Sequence, residues 1–168
     1  MEELKDVQLM EEDTQEGQFL TFSLAEQEYG IEIRHVTEII GIQRITDLPE
    51  TPEYVKGVIN LRGKVIPVID VRLRFRMPER DYDERTCIVV VNISDTSVGL
   101  VVDTVSEVIN IPADNIEPAP KVNQGRPAQQ FVQGLAKVGE QVKILLDTQR
   151  LLFDEEFELI KATATATA

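Results

Sequence analysis

Residues 55–71 read VKGVINLRGKVIPVIDV, two apolar runs joined by the polar segment NLRG. Both runs are rich in Val and Ile and end at Gly, Asn or Asp, which is typical of β-strands. Asn60 and Gly63 bracket Leu61 and Arg62, so we predict a β-hairpin turn with Gly63 at a positive φ. Leucine and arginine are unusual turn residues. We therefore interpret this tip as available to bind a partner, since an arginine fork suits carboxylates.

The pattern occurs twice in the chain. Two fixed displacements, separated by eight inserted residues, align apolar, Gly, Glu and Asp positions of one half with those of the other. The matched positions are Phe19/Ile88, Phe22/Val91, Leu24/Ile93, Gly30/Gly99, Glu38/Glu107 and Pro49/Pro118 at a displacement of 69, then Val55/Val132, Gly57/Gly134, Val65/Val142 and Asp70/Asp147 at a displacement of 77. Such self-similarity indicates an internal duplication. The second tip, LAKVGEQ, has no arginine equivalent to Arg62.

We therefore predict an all-β fold of two packed five-stranded β-barrels, each formed by a unit of about 65–70 residues. The first repeat spans about 18–80 and the second about 84–155, and a strand could cross from one barrel to the other. A short C-terminal helix is expected to begin at Asp147, a plausible N-cap. Residues 1–17 are interpreted as a flexible acidic arm and 156–168 as a tail.

Alternation along these strands predicts a set of core or inter-barrel residues. They are Val58, Ile66, Val68, Val89, Val91, Leu100, Val102, Ile144 and Leu146. The run VRLRFRM places Arg72, Arg74 and Arg76 at alternate positions, which on a strand would form one basic face. We interpret this run as a solvated, salt-bridged edge.

The charge distribution argues against several classes of function. The formal net charge is −13, and residues 1–17 contribute −6 of it, from seven acids and one lysine. Nucleic-acid binding and docking on anionic lipid both need clustered basic residues, which this chain lacks. No apolar run is long enough to span a bilayer and no secretory signal is present, so we expect a cytoplasmic protein without direct membrane insertion.

Catalytic and metal-binding sets are not evident in the sequence. His35 is the single histidine and Cys87 the single cysteine, so a zinc site has no second histidine to build on and a Cys-based metal cluster cannot be built. Asp70 and Asp147 are paired by the duplication and are interpreted as residues that cap or turn the chain. No phosphate-binding glycine motif occurs. We expect a non-enzyme with no cofactor and no metal.

At this point the residues resemble a known family. The segments YGIEIRHVTEII, LPETPEYVKGVINLRGKVIPVIDVRLRF, VGLVVDTVSEVI and VKILLDTQRLL are similar, in order and spacing, to those of CheW, the chemotaxis coupling protein. The resemblance covers residues 18 to about 155, and the GVINLRG stretch is its most specific part. The same domain occurs in the kinase CheA and in CheV. This chain has no kinase, phosphotransfer or receiver segment, so it looks like the stand-alone adaptor.

The resemblance implies two SH3-like barrels sharing a hydrophobic interface. It also implies binding to the cytoplasmic tips of chemoreceptors (methyl-accepting chemotaxis proteins) and to the regulatory domain of the histidine kinase CheA, with recruitment to membrane receptor arrays. The implied receptor-binding residues are Val36, Glu38, Gly57, Asn60, Arg62, Val105 and Val108. The implied kinase-binding residues are Ile116, Glu117 and Val122. Glu38 would either pair with Arg62 and orient it or contact the receptor directly.

Three alternatives remain open from the residues alone. A generic β-barrel interaction module would share the fold without the receptor and kinase. A nucleic-acid-binding barrel is disfavoured by the acidic charge and by the few aromatic residues, since base stacking needs exposed rings. An enzyme or nucleotide binder is disfavoured by the missing phosphate-binding loop.

Overall fold

The computed structural model describes residues 16–119 and 131–152, and eleven strands account for most of them. The strands are β1 (Gln18–Leu24), β2 (Gln27–Glu32), β3 (Val36–Gly41), β4 (Val55–Leu61), β5 (Lys64–Asp70), β6 (Cys87–Ile93), β7 (Thr96–Val102), β8 (Thr104–Asn110), β9 (Ile116–Pro118), β10 (Val132–Val138) and β11 (Gln141–Leu146). Two short helices, α1 (Val71–Arg74) and α2 (Thr148–Leu152), follow β5 and β11. Single 3-10 turns lie at Ile33–His35 and Ala113–Asn115.

The strands form two sheets, and each sheet contains strands from both halves of the sequence. The six-stranded sheet has the order β8-β1-β2-β11-β10-β9, and the five-stranded sheet has the order β3-β6-β7-β5-β4. Neighbours are antiparallel except for the parallel pairs β2–β11 and β5–β7. The two halves therefore exchange their first hairpins: β1–β2 joins second-half strands, and β6–β7 joins first-half strands.

The predicted internal duplication is confirmed by the register of the strands. Gly30 lies opposite Leu145 in one parallel pair, and Gly99 lies opposite Val68 in the other. These residues are related by the displacements of 69 and 77 found in the sequence. Both glycines are needed for the close approach, because a Cβ atom would lie 2.9 Å from the Leu145 side chain and 2.8 Å from that of Ile88.

The apolar residues divide into three clusters. The largest takes side chains from both sheets and both helices, and it includes Phe22, Tyr29, Leu100 and Phe131. A second cluster lies within the five-stranded sheet and a third within the six-stranded sheet. The molecule is therefore mostly β, with two barrel-like sheets that share a hydrophobic interface, as predicted.

Most of the predicted core is buried. Seven of the nine residues have at most 1% of their surface exposed, whereas Val58 and Ile144 are half-buried. The core assignment is thus confirmed for these seven residues, whereas on β4 the buried residues are the neighbours of Val58, such as Ile59. The predicted capping role of the paired aspartates is also confirmed: the Leu73 amide donates to Asp70 Oδ1 at 3.3 Å, and the Arg150 amide donates to Asp147 Oδ1 at 3.1 Å.

The interpretation of VRLRFRM as a strand edge is wrong, because none of its three arginines lies on a strand, although Arg72 does form a salt bridge. The segment turns into α1 at once, because Asp70 caps it. Arg74 is buried, with its guanidinium carbon 4.3 Å from the ring centre of Tyr54 and 4.6 Å from that of Phe131. Cation–π stacking of this kind stabilises a buried arginine. Arg72 forms an ion pair with Asp103.

Candidate functional site

The predicted tip is a two-residue turn between β4 and β5. Arg62 and Gly63 form it, with φ values of +53° and +86°, which matches the type I′ geometry favoured in hairpins. Asn60 stabilises the turn, since its Oδ1 accepts a hydrogen bond from the Gly63 amide at 2.8 Å. Gln43 donates to the Asn60 carbonyl at 3.4 Å and ties the preceding loop to the hairpin.

The turn places Arg62 against Glu38 of β3. Arg62 Nη1 donates to Glu38 Oε1 at 3.0 Å and Nη2 to Oε2 at 2.5 Å, which is a bidentate fork. The Arg62 side chain is 76% exposed and the Glu38 side chain 21%. Exposed ion pairs contribute little stability, about 0–1 kcal/mol, so this pair orients the arginine more than it holds the fold.

The second hairpin tip differs from the first at the same point. Gly139 occupies the position of Arg62, with a φ of +62°, and Glu140 follows it. Left-handed backbone suits glycine and strains other residues. The first hairpin thus has an arginine at a turn position where the duplicate hairpin has glycine, the residue that this backbone conformation favours.

Gly57 is a buried structural position rather than an exposed one. Its φ is +141°, and a Cβ atom there would lie 1.9 Å from the Thr46 carbonyl oxygen. The close approach exists because Thr46 and Val58 exchange backbone hydrogen bonds of 2.8 Å. Any side chain at Gly57 would displace the segment around Thr46. Because Gly57 belongs to β4, which leads into the tip, the position of the tip depends on this glycine.

The other implied receptor-binding residues lie on two edge strands. Val36 lies on β3 beside Glu38, half-buried against the shared core. Val105 and Val108 lie on β8 at the edge of the six-stranded sheet, and Val108 is 51% exposed. The structure thus brings Glu38, Asn60 and Arg62 together. Val105 occupies in β8 the position that Val36 occupies in β3, but in the other sheet.

The implied kinase-binding residues lie at the opposite edge of the six-stranded strand order. Ile116 and Glu117 belong to β9, which pairs with β10. Glu117 is exposed and forms a 2.5 Å ion pair with Lys137. Val122 lies outside the described residues.

Sequence reasoning did not single out most of the exposed apolar side chains. Ile39, Val65 and Val142 each expose about half of their surface, as Val108 does. The four residues are two duplicated pairs, 69 and 77 positions apart, and the repeat alignment could have shown this. Ile39 follows Glu38 directly, and Val65 lies on the strand that leaves the tip.

A charged cluster that the sequence did not reveal surrounds Asp103. Its carboxylate accepts hydrogen bonds from Arg72, Arg80 and the Ala25 amide at 2.6–3.1 Å. Burial raises the pKa of Asp103, but the hydrogen bonds from Arg72 and from the Ala25 amide outweigh it, so the pKa lies below its usual value. Tyr82 nearby donates to Asp70 at 2.8 Å, and burial together with this carboxylate raises its pKa.

In the described part of the chain, no helix is long and apolar enough to cross a bilayer.

A family model described as the CheW-like domain matches residues 18–156. Chemotaxis protein CheW of Klebsiella aerogenes is 42% identical over 147 residues, which cover 88% of each chain. Chemotaxis protein CheW of Bacillus subtilis is 32% identical and covers 81% of this chain and 86% of its own.

Similarity extends to a solved structure. The crystal structure of the scaffolding protein TtCheW from Thermoanaerobacter tengcongensis superposes with a TM-score of 0.76 at 41% identity. The match covers 83% of this chain and 94% of that one. Residues 18–156, which the family model matches, include both sheets and the Glu38–Arg62 pair. This chain therefore belongs to the CheW family.

Proposed function

We propose that this protein is a non-catalytic adaptor in chemotaxis signalling that couples the cytoplasmic tips of chemoreceptors to the histidine kinase CheA. Its relatives carry the names chemotaxis protein and scaffolding protein. The observation that carries the proposal is Arg62, whose guanidinium is held at an exposed hairpin tip by the bidentate carboxylate of Glu38. An arginine fork of this kind suits the carboxylates of a partner protein.

The proposed receptor-binding surface is centred on the Glu38–Arg62 fork. Arginine can bridge two carboxylates, because its five N–H donors exceed what Glu38 alone can accept. A receptor carboxylate would therefore bind Arg62 at the face left exposed to solvent. Val65, which pairs with Asn60 across the hairpin, exposes apolar surface near this charge, the combination found at interfaces with a few dominant residues.

Other implied receptor-binding residues contribute in different ways. Asn60 fixes the turn and Gly57 keeps the hairpin close to the segment around Thr46. We therefore propose that these two residues act on receptor binding through the position of Arg62. Val36, Val105 and Val108 complete the surface in this proposal.

We propose β9 as the kinase-binding region, with Ile116 and Glu117 as its contacts and Val122 as a further one. Glu117 is held by Lys137 on the neighbouring strand, so its carboxylate has a fixed place on the surface. The adaptor works in the cytoplasm, recruited to membrane receptor arrays through its partners. We assign this role to residues 18–155 and none to 1–17 or 156–168.

A pull-down with two separate baits tests the proposal. One bait is an immobilised chemoreceptor cytoplasmic fragment, and the other is the regulatory domain of CheA. We expect Arg62→Glu to lose receptor binding by about 2–5 kcal/mol, because it replaces an attraction with a repulsion, while binding to the kinase is kept. Glu117→Lys should weaken kinase binding and leave receptor binding unchanged.

Lys137→Glu provides the matched control for Arg62→Glu in the receptor pull-down, where it should bind normally, but not in the kinase pull-down, because Lys137 pairs with Glu117. It also reverses an exposed, ion-paired base on the β10–β11 hairpin, the duplicate of the hairpin that carries Arg62. Circular dichroism must show that each variant is folded. Wild-type-like receptor binding by Arg62→Glu would disprove the assignment of the tip, and failure of the wild-type protein to bind either bait would disprove the adaptor role.

A further inference from the structure

The first hairpins of the two halves, β1–β2 and β6–β7, could be placed in the two sheets in two ways. In the observed one, β2 lies beside β11 and β7 beside β5. If each half kept its own hairpin, β2 would lie beside β5 and β7 beside β11, and the order of equivalent strands in each sheet would be unchanged. Wrong assembly of this kind is a characteristic failure of repeat proteins.

The apolar interface discriminates weakly between the arrangements wherever the two halves carry residues of similar size. Such equivalent positions in the shared cluster include Leu24 and Ile93, and Ile31 and Leu100. Hydrophobic residues of similar size replace one another in cores at modest cost. Discrimination between the arrangements requires contacts that differ between the two halves.

We propose that two ion pairs, Lys143–Glu28 and Arg72–Asp103, specify the exchange of hairpins by disfavouring the alternative pairing. Each pair joins β2 or the end of β7 to the element that it meets only in the observed arrangement. Neither pair is repeated at the equivalent positions of the other half.

The first pair lies across the parallel strands β2 and β11. The Lys143 ammonium contacts the Glu28 carboxylate, and the lysine side chain is only 5% exposed. The equivalent positions hold Ile66, which is buried, and Ser97. The alternative arrangement would place Lys143 beside Ser97 and Glu28 beside Ile66. A buried ammonium without a counter-ion is strongly unfavourable.

The second pair lies where α1 meets the end of β7. Arg72 Nε donates to Asp103 Oδ1 at 2.7 Å and Nη2 to Oδ2 at 2.6 Å, with both side chains nearly buried. The equivalent positions hold Gln149 and Arg34. The alternative arrangement would bring Arg72 towards Arg34 and leave Asp103 beside Gln149. Attraction would thus become repulsion at the same site.

A buried polar residue at a coiled-coil interface specifies register and oligomeric state at the expense of stability, and the two ion pairs would act in the same way here. In each ion pair the acid belongs to one half of the sequence and the base to the other, and the pair has no duplicate. Each pair therefore stabilises only the arrangement in which the hairpins are exchanged.

Two disulfide reporters distinguish the arrangements. On a Cys87→Ser background, Gln27→Cys with Val142→Cys reports the observed pairing, since Gln27 Nε2 donates to the Val142 carbonyl at 3.2 Å. Thr96→Cys with Val142→Cys reports the alternative, because Thr96 is equivalent to Gln27. Neighbouring strands bring Cα atoms within the range that a disulfide needs.

The decisive variant transposes the acids without changing the composition. Glu28→Ser with Ser97→Glu, and Arg34→Asp with Asp103→Arg, move both carboxylates to the other hairpin. We expect the ratio of the 96–142 to the 27–142 crosslink to rise by about tenfold or more. Transposing the bases as well, with Ile66→Lys, Lys143→Ile, Arg72→Gln and Gln149→Arg, should restore the original ratio. An unchanged ratio in the first variant, or no restoration in the second, would overturn the proposal.

A milder variant decides the matter if the transposed protein does not fold. Glu28→Gln with Asp103→Asn removes both carboxylate charges with little change of shape. During refolding under oxidising conditions, we expect early formation of the 96–142 crosslink to exceed that of the wild type by about tenfold. This early ratio is measured whether or not the final state is stable. A wild-type ratio would show that the ion pairs do not direct the choice of hairpin.

Discussion

Arg62 provides a test of whether the tip is maintained for binding. Its φ of +53° places it in the left-handed region, where a non-glycine residue costs about 1–2 kcal/mol. Arg62→Ala removes the guanidinium and keeps this strain, whereas Arg62→Gly removes both. Comparing these two variants therefore isolates the backbone cost, because each of them loses the fork to Glu38.

The expected magnitudes follow from the geometry of the turn. Glycine adds freedom to the unfolded chain, which offsets part of the relieved strain, so we expect Arg62→Gly to be about 1 kcal/mol more stable than Arg62→Ala. Loss of the exposed ion pair costs both variants about 0–1 kcal/mol. Arg62→Gly should therefore lie within about 1 kcal/mol of the wild type.

Urea denaturation followed by circular dichroism measures the free energy of unfolding, and the receptor pull-down measures binding. Both variants should bind the receptor fragment weakly and to the same degree. Gly139→Ala is the matched control at the duplicate tip. It should lose about 1 kcal/mol of stability and leave receptor binding unchanged. Equal stability of the Gly and Ala variants would refute the strain argument, and receptor binding retained by Arg62→Gly would refute the binding role.

Four further outcomes are expected. The changes in binding caused by Glu38→Ala and Arg62→Ala should be non-additive in a double-mutant cycle, because the two side chains form one unit. Gly57→Ala should cost at least about 2 kcal/mol in urea titrations, through overlap with the main chain beneath it. Leu100→Ala, in the shared core, should cost about 2–5 kcal/mol by the same measurement. Because the pKa of Asp103 is lower in the folded protein, its stabilisation is complete above about pH 4 and is lost as the pH falls further, and Asp103→Asn should reduce that loss in denaturation curves at successive pH values.

The duplication was predictable because both halves keep the same residue types at positions where the backbone conformation requires them. Gly30 and Gly99 sit where a neighbouring strand approaches too closely for a Cβ atom, and Asp70 and Asp147 cap equivalent helices. The exchange of hairpins was not predictable from the same pattern. Both arrangements place the same apolar positions in the core, so hydrophobic periodicity does not distinguish them.

Long-range contacts also explain what the sequence missed at the site and near it. Alternation of three arginines favoured a strand, but Arg74 is buried because aromatic rings 20 and 57 positions away enclose it. The Glu38–Arg62 pairing was one of two alternatives from sequence, and the structure shows the pair formed. Nothing in local propensity could select it, because the residues lie on separate strands.

The parallel contact between β2 and β11 has a consequence for synthesis of the protein. Gln27 and Val142, which meet in this pair, are 115 residues apart. A ribosome adds about 5–20 residues per second, so β2 waits roughly 6–23 seconds for the neighbour that covers its edge. Exposed strand edges can pair with other chains during such a delay. Newly made copies should therefore depend on chaperones, or on well-spaced ribosomes, more than a protein of this size with only local strand pairing would.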